Sequence, residues 1–226
     1  MKAPIAVALD APDLHTLQQW SQSAAPFVDV LKVGLEVYLR DAGDAIAAVK
    51  KTDCKLFLDL KLHDIPNTVA GAARSVARFE PDFLTVHASG GAAMIEAAAK
   101  ALPQTKITAV TILTSLSEAD LKAIGFQGNA IDAVTRLAAL SVDAGARAIV
   151  CSPQEVAAVR AIVPSDIVLI TPGVRPAGGD LGDQVRVATP QQAIADGADI
   201  VVIGRPITGA ADIADAAKTI AESLVG

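Results

Sequence analysis

Aromatic side chains are scarce in this chain: Phe, Trp and Tyr together make up 3% of 226 residues. Proteins that bind single-stranded nucleic acid stack bases on such rings along a basic groove. The charge balance points the same way, since 19 Lys and Arg against 25 Asp and Glu leave a net charge of -6. Nucleic acid is therefore not the expected partner, although local lysines and arginines can still focus a positive potential on a small anionic molecule. Cysteine is equally sparse. Cys54 and Cys151 are the two present, each inside or beside an apolar run, and a reducing compartment would keep them as small hydrophobes without a disulfide. Long apolar runs are missing too. The mean hydropathy of +0.43 comes largely from alanine in stretches such as Ala97 to Ala99, and charges interrupt every run before bilayer length, so no membrane span is expected. Met1-Lys2-Ala3-Pro4 leads straight into a strand-like Ile5 to Leu9. None of the regions of a signal peptide precedes it, and residence in the cytoplasm is expected. The three histidines form no cluster with metal-ligand spacing, and no metal site is expected.

What is abundant is apolar residues in short runs. They make up 52% of the chain, enough for a sizeable core, and one domain over residues 1–226 is favoured over two small ones. Strand-like runs fall at Ile5 to Leu9, Val30 to Val33, Leu56 to Leu60, Phe83 to His87, Ile107 to Ile112, Ala148 to Val150, Ile167 to Ile170 and Ile200 to Ile203. Helical periodicity lies between them, in Leu14 to Ala24, Thr68 to Phe79, Gly91 to Ala101, Ile131 to Ala144, Pro153 to Val163 and Pro190 to Asp196, with a last helix at Ala211 to Leu224. Gly145-Ala146 and Gly197-Ala198 repeat a junction in which glycine caps a helix before a strand. Strict alternation implies a parallel sheet. Eight repeats fit closure into an α/β fold of the (β/α)8 barrel type better than an open sheet.

The segment Asp59-Leu60-Lys61-Leu62-His63-Asp64-Ile65-Pro66-Asn67-Thr68 carries the most information. Side chains two apart on a strand share a face, so Asp59 and Lys61 point together. With helices covering the outer face, Leu58, Leu60 and Leu62 pack outward and the two charges face inward. Pro66 suits the first turn of a following helix, and Asp64 is left in the connection. In such a barrel the site forms at the carboxyl ends of the strands. There, strand one leads to Asp10, strand two contains Lys32, strand four ends in His87 and strand five runs into Thr114 and Ser115. Carboxylates alternating with ammonium groups favour one another's charged forms and give a site of mixed potential.

The last two strands supply a second half. Thr171-Pro172-Gly173-Val174-Arg175-Pro176 opens a glycine-rich loop that reaches Gln184, suited to a lid, and strand eight runs into Gly204-Arg205-Pro206-Ile207-Thr208. Loops after strands seven and eight, with a helix amino end, are the usual phosphate site of this architecture. Arg175 and Arg205 would add charge-assisted hydrogen bonds there. His87 reads more readily as a neutral, hydrogen-bonded structural residue than as a pocket residue, His63 as loop support, and His15 as solvated.

These residues resemble the orotidine 5'-monophosphate decarboxylase family of the bacterial type. The resemblance runs through Asp10, Lys32-Val33-Gly34, Asp59 to Thr68, Thr114-Ser115, Thr171 to Pro176, Gln184 and Gly204 to Thr208, from first strand to last. Leu62 departs from it, standing where an aromatic is common, on a side facing away from the site. The resemblance implies conversion of orotidine monophosphate to uridine monophosphate and carbon dioxide, the last step of de novo UMP synthesis, without metal or organic cofactor. It implies Lys61, Asp59, Asp64 and Lys32 as catalytic residues. Asp10 and Lys32 would hold the ribose, Thr114 the pyrimidine, and Gln184, Gly204, Arg205 and Arg175 the phosphate. Asp64, Ile65 and Thr68 would cross into a neighbouring subunit's site, making a homodimer with shared sites. The competing reading is a magnesium-dependent keto-sugar-phosphate decarboxylase or aldolase, which shares Asp-x-Lys-x-x-Asp; there a carboxylate on strand two helps hold the metal, where this chain has Lys32.

Overall fold

The structure, a computed structural model, describes residues 2–175 and 188–225. Its eight strands are all parallel and close in sequence order, the last pairing with the first. They are β1 (Ala3–Ala8), β2 (Val28–Gly34), β3 (Lys55–Leu62), β4 (Phe83–His87), β5 (Lys106–Val110), β6 (Ala148–Val150), β7 (Val168–Thr171) and β8 (Ile200–Ile203). The chain is thus a (β/α)8 barrel. Around it run α1 (Leu14–Ala24), α2 (Leu35–Lys50), α3 (Pro66–Val76), α4 (Ala92–Ala101), α5 (Glu118–Ala123), α6 (Ala130–Asp143), α7 (Val156–Ile162), α8 (Pro190–Ala195), α9 (Arg205–Thr208) and α10 (Ile213–Val225). Among the described residues no helix is long and apolar enough to cross a membrane.

Two apolar clusters follow from the period of two along each strand. Leu31, Val33, Leu56, Leu58, Leu84 and Val86 belong to the larger one, between sheet and helices. Ala6, Val30, Phe57, Phe83, Ala148, Ile170 and Ile200 form the smaller one inside the barrel, where the Phe57 and Phe83 rings lie 5.7 Å apart, tilted at 59°. Leu58 and Leu60 do pack outward, with Leu62 partly buried against the same layer. The interior is a plug of side chains rather than a pore, as this architecture requires.

The glycine caps are present as expected. Gly145 and Gly197 have φ of 94° and 110°, a region open to glycine at little cost. The following amides close the helix ends, Ala146 N bonding Ser141 O and Ala198 N bonding Ala193 O, the pattern of a Schellman motif. Cys54 and Cys151 are buried free thiols, and burial, with the charge of Glu155, pushes the Cys151 thiol up to about 12.

Several boundaries differ from the sequence reading. Strand five stops at Val110 rather than Ile112, and α7 starts at Val156 rather than Pro153, the chain first turning so that Ser152 can donate to the Glu155 carboxylate. The expected strand Ile167 to Ile170 is shifted by one, to Val168–Thr171. Three helices had no counterpart in the periodicity: α2, α5 and α9. In α2 the helical pattern is broken by Ala42, whose φ of 43° and ψ of -116° kink it. The other two, six and four residues long, are shorter than a periodic signal needs.

Candidate active site

The irregularity that builds the site is in β3. Phe57 and Leu58 pair with Phe83 and Leu84 of β4, but the next paired residues are Leu62 and Val86, so β3 has gained length on its neighbour. A bulge of this kind re-aims side chains at a barrel rim. Lys61 sits within it at φ 48°, in the left-handed region that a residue with a Cβ rarely occupies. Its amide donates to Thr85 Oγ1 at 2.8 Å, and the same hydroxyl donates to Asp59 Oδ1 at 3.1 Å.

The charges then fall into a chain. Lys61 Nζ lies 2.8 Å from Asp59 Oδ1, Lys32 Nζ lies 3.2 Å from Asp59 Oδ2, and Lys32 Nζ lies 3.7 Å from Asp10 Oδ1. Asp59 is thus held between two ammonium groups. Burial pushes its pKa up, but the Lys32 and Lys61 charges and their hydrogen bonds outweigh that and hold the carboxyl below its usual range. Gly34, at the end of β2, makes room: a Cβ there would stand 2.9 Å from Asp10 Oδ1 and 3.1 Å from Lys32 Nζ.

Asp10, Lys32, Asp59 and Lys61 open on one cavity of about 210 Å³ at the carboxyl end of the barrel, with Phe57 and Thr114 also lining it. Its apolar wall is Val110, Ile112, Val150 and Val202. The cavity adjoins a second, of about 440 Å³, lined by Asp10, Gly173, Arg175, Gly204, Arg205 and Thr208. Charge pair, apolar wall and arginine-bearing loops are therefore continuous, the layout of a polar-headed ring attached to an anion. Arg175 is placed by its amide on Ala188 O at 2.9 Å, and Arg205 opens α9 with Pro206 in its first turn. A larger groove of about 940 Å³, lined by Glu96, Lys100, Asp143 and Arg147 among others, lies across α4 and α6 at the amino end of the barrel. Arg147 is occupied there in bonding Pro103 O and Thr105 O. Its chemistry is that of a strand-end brace.

Asp64, Ile65 and Thr68 are exposed and outside the charged cavity. Asp64 Oδ1 caps the Ile65 amide at 2.6 Å, and both residues line a separate hollow of about 530 Å³ with His63, Pro66, Ser89 and Gly90. Gln184 lies outside the described residues, as does the loop from Pro176 to it. The rings of His63 and His87 stand 5.4 Å apart. Burial, then the neighbouring His63 and Lys61, keep His87 below its usual pKa, which favours the neutral imidazole. The sequence reading missed Thr85 and the apolar wall. Parity along Phe83-Leu84-Thr85-Val86-His87 places Thr85 inside with Phe83 and His87, a signal that could have found it. Among the described residues no group of three or more His, Cys, Asp or Glu could hold a metal ion.

Comparison with known proteins bears on this geometry. Residues 3–220 match the family described as Orotidine 5'-phosphate decarboxylase / HUMPS family. The chain is 63% identical over 225 residues to a Thermobifida fusca protein named orotidine 5'-phosphate decarboxylase, covering 99% of this chain and 97% of that one. It is 53% identical over 241 residues to a protein of the same name from Frankia casuarinae, covering 99% of this chain and 88% of that one. The crystal structure of orotidine 5'-phosphate decarboxylase from Lactobacillus acidophilus superposes with a TM-score of 0.86 at 33% identity, over 100% of both chains.

Proposed function

This chain belongs to the orotidine 5'-phosphate decarboxylase / HUMPS family, and from that membership we propose that it is a carboxy-lyase converting orotidine 5'-monophosphate to UMP and carbon dioxide. The observation that carries the reading is Lys61 Nζ, 2.8 Å from a carboxylate that a second ammonium also holds, at the mouth of a cavity continuous with two arginine loops.

Loss of carbon dioxide breaks the C6–carboxyl bond and leaves its electron pair in the plane of the pyrimidine, where the ring cannot delocalise it as an enolate would. Two things are needed: a fixed positive charge beside C6 and a proton. Lys61 supplies both, stabilising the carbanion as an ammonium and then donating its proton to C6. Asp59 holds that ammonium in place, and its own charge stands beside the departing carboxylate. Lys32 and Asp10 hold the ribose hydroxyls, Thr114 the pyrimidine, and Gly204, Arg205, Arg175 and Gln184 the phosphate. Contacts made far from C6 then orient the ring for the step. Asp64, Ile65 and Thr68, exposed in one chain, complete the site of a second copy, so that the working unit is a homodimer.

The magnesium-dependent alternative fits the donor set poorly. Among the described residues Asp10 and Asp59 are the carboxylates lining the charged cavity, and the Lys32 ammonium lies against both of them, so a divalent cation placed there would meet a fixed positive charge. The deciding experiment adds purified protein to orotidine monophosphate in excess chelator, follows the loss of near-ultraviolet absorbance and identifies the product. Formation of UMP is expected. No turnover in chelator, restored by magnesium or seen only with a keto-sugar phosphate, would overturn the reading.

A further inference from the structure

We propose that Thr85 is a positioning residue for decarboxylation, its one hydroxyl fixing both the carboxylate of Asp59 and the strained backbone that carries Lys61. The inference rests on the decarboxylase reading and adds to it a residue that neither lines the cavity nor carries charge. Thr85 is wholly buried, on β4, facing the barrel interior one step above Phe83 along the strand.

Its hydroxyl does two jobs at once. As acceptor it takes the Lys61 N–H at 2.8 Å; as donor it reaches Asp59 Oδ1 at 3.1 Å. In a regular parallel ladder that N–H would bond a carbonyl of the neighbouring strand. The bulge between Leu58 and Leu62 removes this partner, and a buried amide without one is costly. Thr85 replaces it, and so makes the left-handed conformation of Lys61 at φ 48° tenable. Asp59 Oδ1 is also the atom that receives Lys61 Nζ at 2.8 Å. The hydroxyl, the carboxylate and the ammonium therefore form a closed ring: Thr85 to the Lys61 backbone, Lys61 side chain to Asp59, Asp59 back to Thr85. Each side of the ring fixes the other two, so the position of Nζ is set from both ends of its own residue.

A threonine is well suited to this. Its β-branched side chain is fully buried, and its stiff χ1 holds the oxygen on the bulge. Valine has the same shape and neither hydrogen bond. Displacement of a catalytic group by an ångström can cost about a hundredfold in rate, and loss of outer partners of a site commonly costs about ten- to a hundredfold.

The test compares wild type with Thr85→Val, Thr85→Ser and Thr85→Ala in steady-state turnover of orotidine monophosphate, with thermal midpoints and affinity for UMP measured alongside. Thr85→Val is expected to lower kcat by about ten- to a hundredfold while KM and UMP affinity stay within about threefold, because the ribose and phosphate contacts are untouched. Thr85→Ser, which keeps the hydroxyl, should retain kcat within about threefold although it loses the methyl packing; Thr85→Ala should not. A Thr85→Val protein that fails to fold leaves the Ser and Ala pair to decide. The inference is overturned if a folded Thr85→Val has wild-type kcat, or if Ser is no better than Ala, so that rate follows packing and not the hydroxyl. Failure of wild type itself to release carbon dioxide would instead refute the decarboxylase reading.

Discussion

Lys61 Nζ lies 2.8 Å from Oδ1 of Asp59, two positions earlier on the same strand. Both side chains open on the cavity, and the Asp59 carboxylate is bound in addition by Lys32 and by the Thr85 hydroxyl. Replacing Asp59 by Asn keeps the shape and the Thr85 contact but leaves two ammonium groups with no shared counter-ion. Asp59→Asn is expected to reduce kcat/KM by at least about a hundredfold, since the Lys61 ammonium loses both its charge partner and its aim. Steady-state kinetics at pH 7 measures this, and a variant within a few-fold of wild type would show that Asp59 only fills space.

Gly34 offers a substitution that touches the site and not the fold. Its φ of -90° suits any residue, and the atoms a Cβ would meet are the ends of two flexible side chains, Asp10 at 2.9 Å and Lys32 at 3.1 Å. Gly34→Ala should therefore leave the thermal midpoint nearly unchanged. It should raise KM by about tenfold, roughly 1.4 kcal/mol, by pushing the pair proposed to hold the ribose. Stability loss with normal KM would assign Gly34 to packing alone.

Arg205 lines the arginine-bearing cavity, away from the Lys61–Asp59 pair. If its role is to hold a phosphate, Arg205→Ala should lower kcat/KM by about a hundredfold or more, the scale of a lost charge-assisted contact. On the truncated substrate orotidine, wild-type turnover should rise when phosphite dianion is added, because a phosphate fragment can supply binding energy unattached. Turnover of orotidine that is indifferent to phosphite would separate this cavity from the reaction.

The pH dependence of stability has a sign set by His87. Burial and the neighbouring His63 and Lys61 lower its pKa in the folded chain, with Asp59 opposing. Below the unfolded value of about 6.5, the unfolded chain takes up a proton that the folded chain resists, so stability falls as pH drops through that window. Asp59, whose pKa is also depressed, adds a second decline at lower pH, below about 4. Urea unfolding midpoints at pH 7.0 and 5.5 should differ more for wild type than for His87→Gln. Equal differences would place the titrating group elsewhere.

Most of the barrel was legible because its strands stand out as short apolar runs, and because α6 and α8 each lead into the next strand through a glycine of positive φ, Gly145 and Gly197. The site charges were legible for the same reason: Asp59, Lys61 and Lys32 stand at inward positions where packing has no use for charge. Thr85 was hidden because a lone threonine in a strand reads as ordinary β propensity. Only the bulge in β3, which no residue of that strand announces, turns its hydroxyl into a partner for the Lys61 amide. The kink at Ala42 was hidden likewise, since alanine is the strongest of helix formers.

The exposed trio of Asp64, Ile65 and Thr68 supports the last expectation. Ile65 is 66% exposed and its amide donates to the preceding Asp64 carboxylate, so apolar and acidic side chains stand together at a surface that a second copy would cover. In the proposed homodimer each site takes Lys61 from one chain and Asp64 from the other. Lys61→Ala and Asp64→Ala should each be nearly inactive alone. Mixed and allowed to exchange subunits, they form a heterodimer in which one site carries both substitutions and the other neither, so activity should recover to about a quarter of wild type at equal mixing, half of the dimers being mixed and half of their sites intact. Size-exclusion chromatography establishes the dimer and differently tagged chains establish the exchange. A verified heterodimer without recovered turnover would mean that each site is built within one chain, and that Asp64 acts, if at all, on the Lys61 of its own chain.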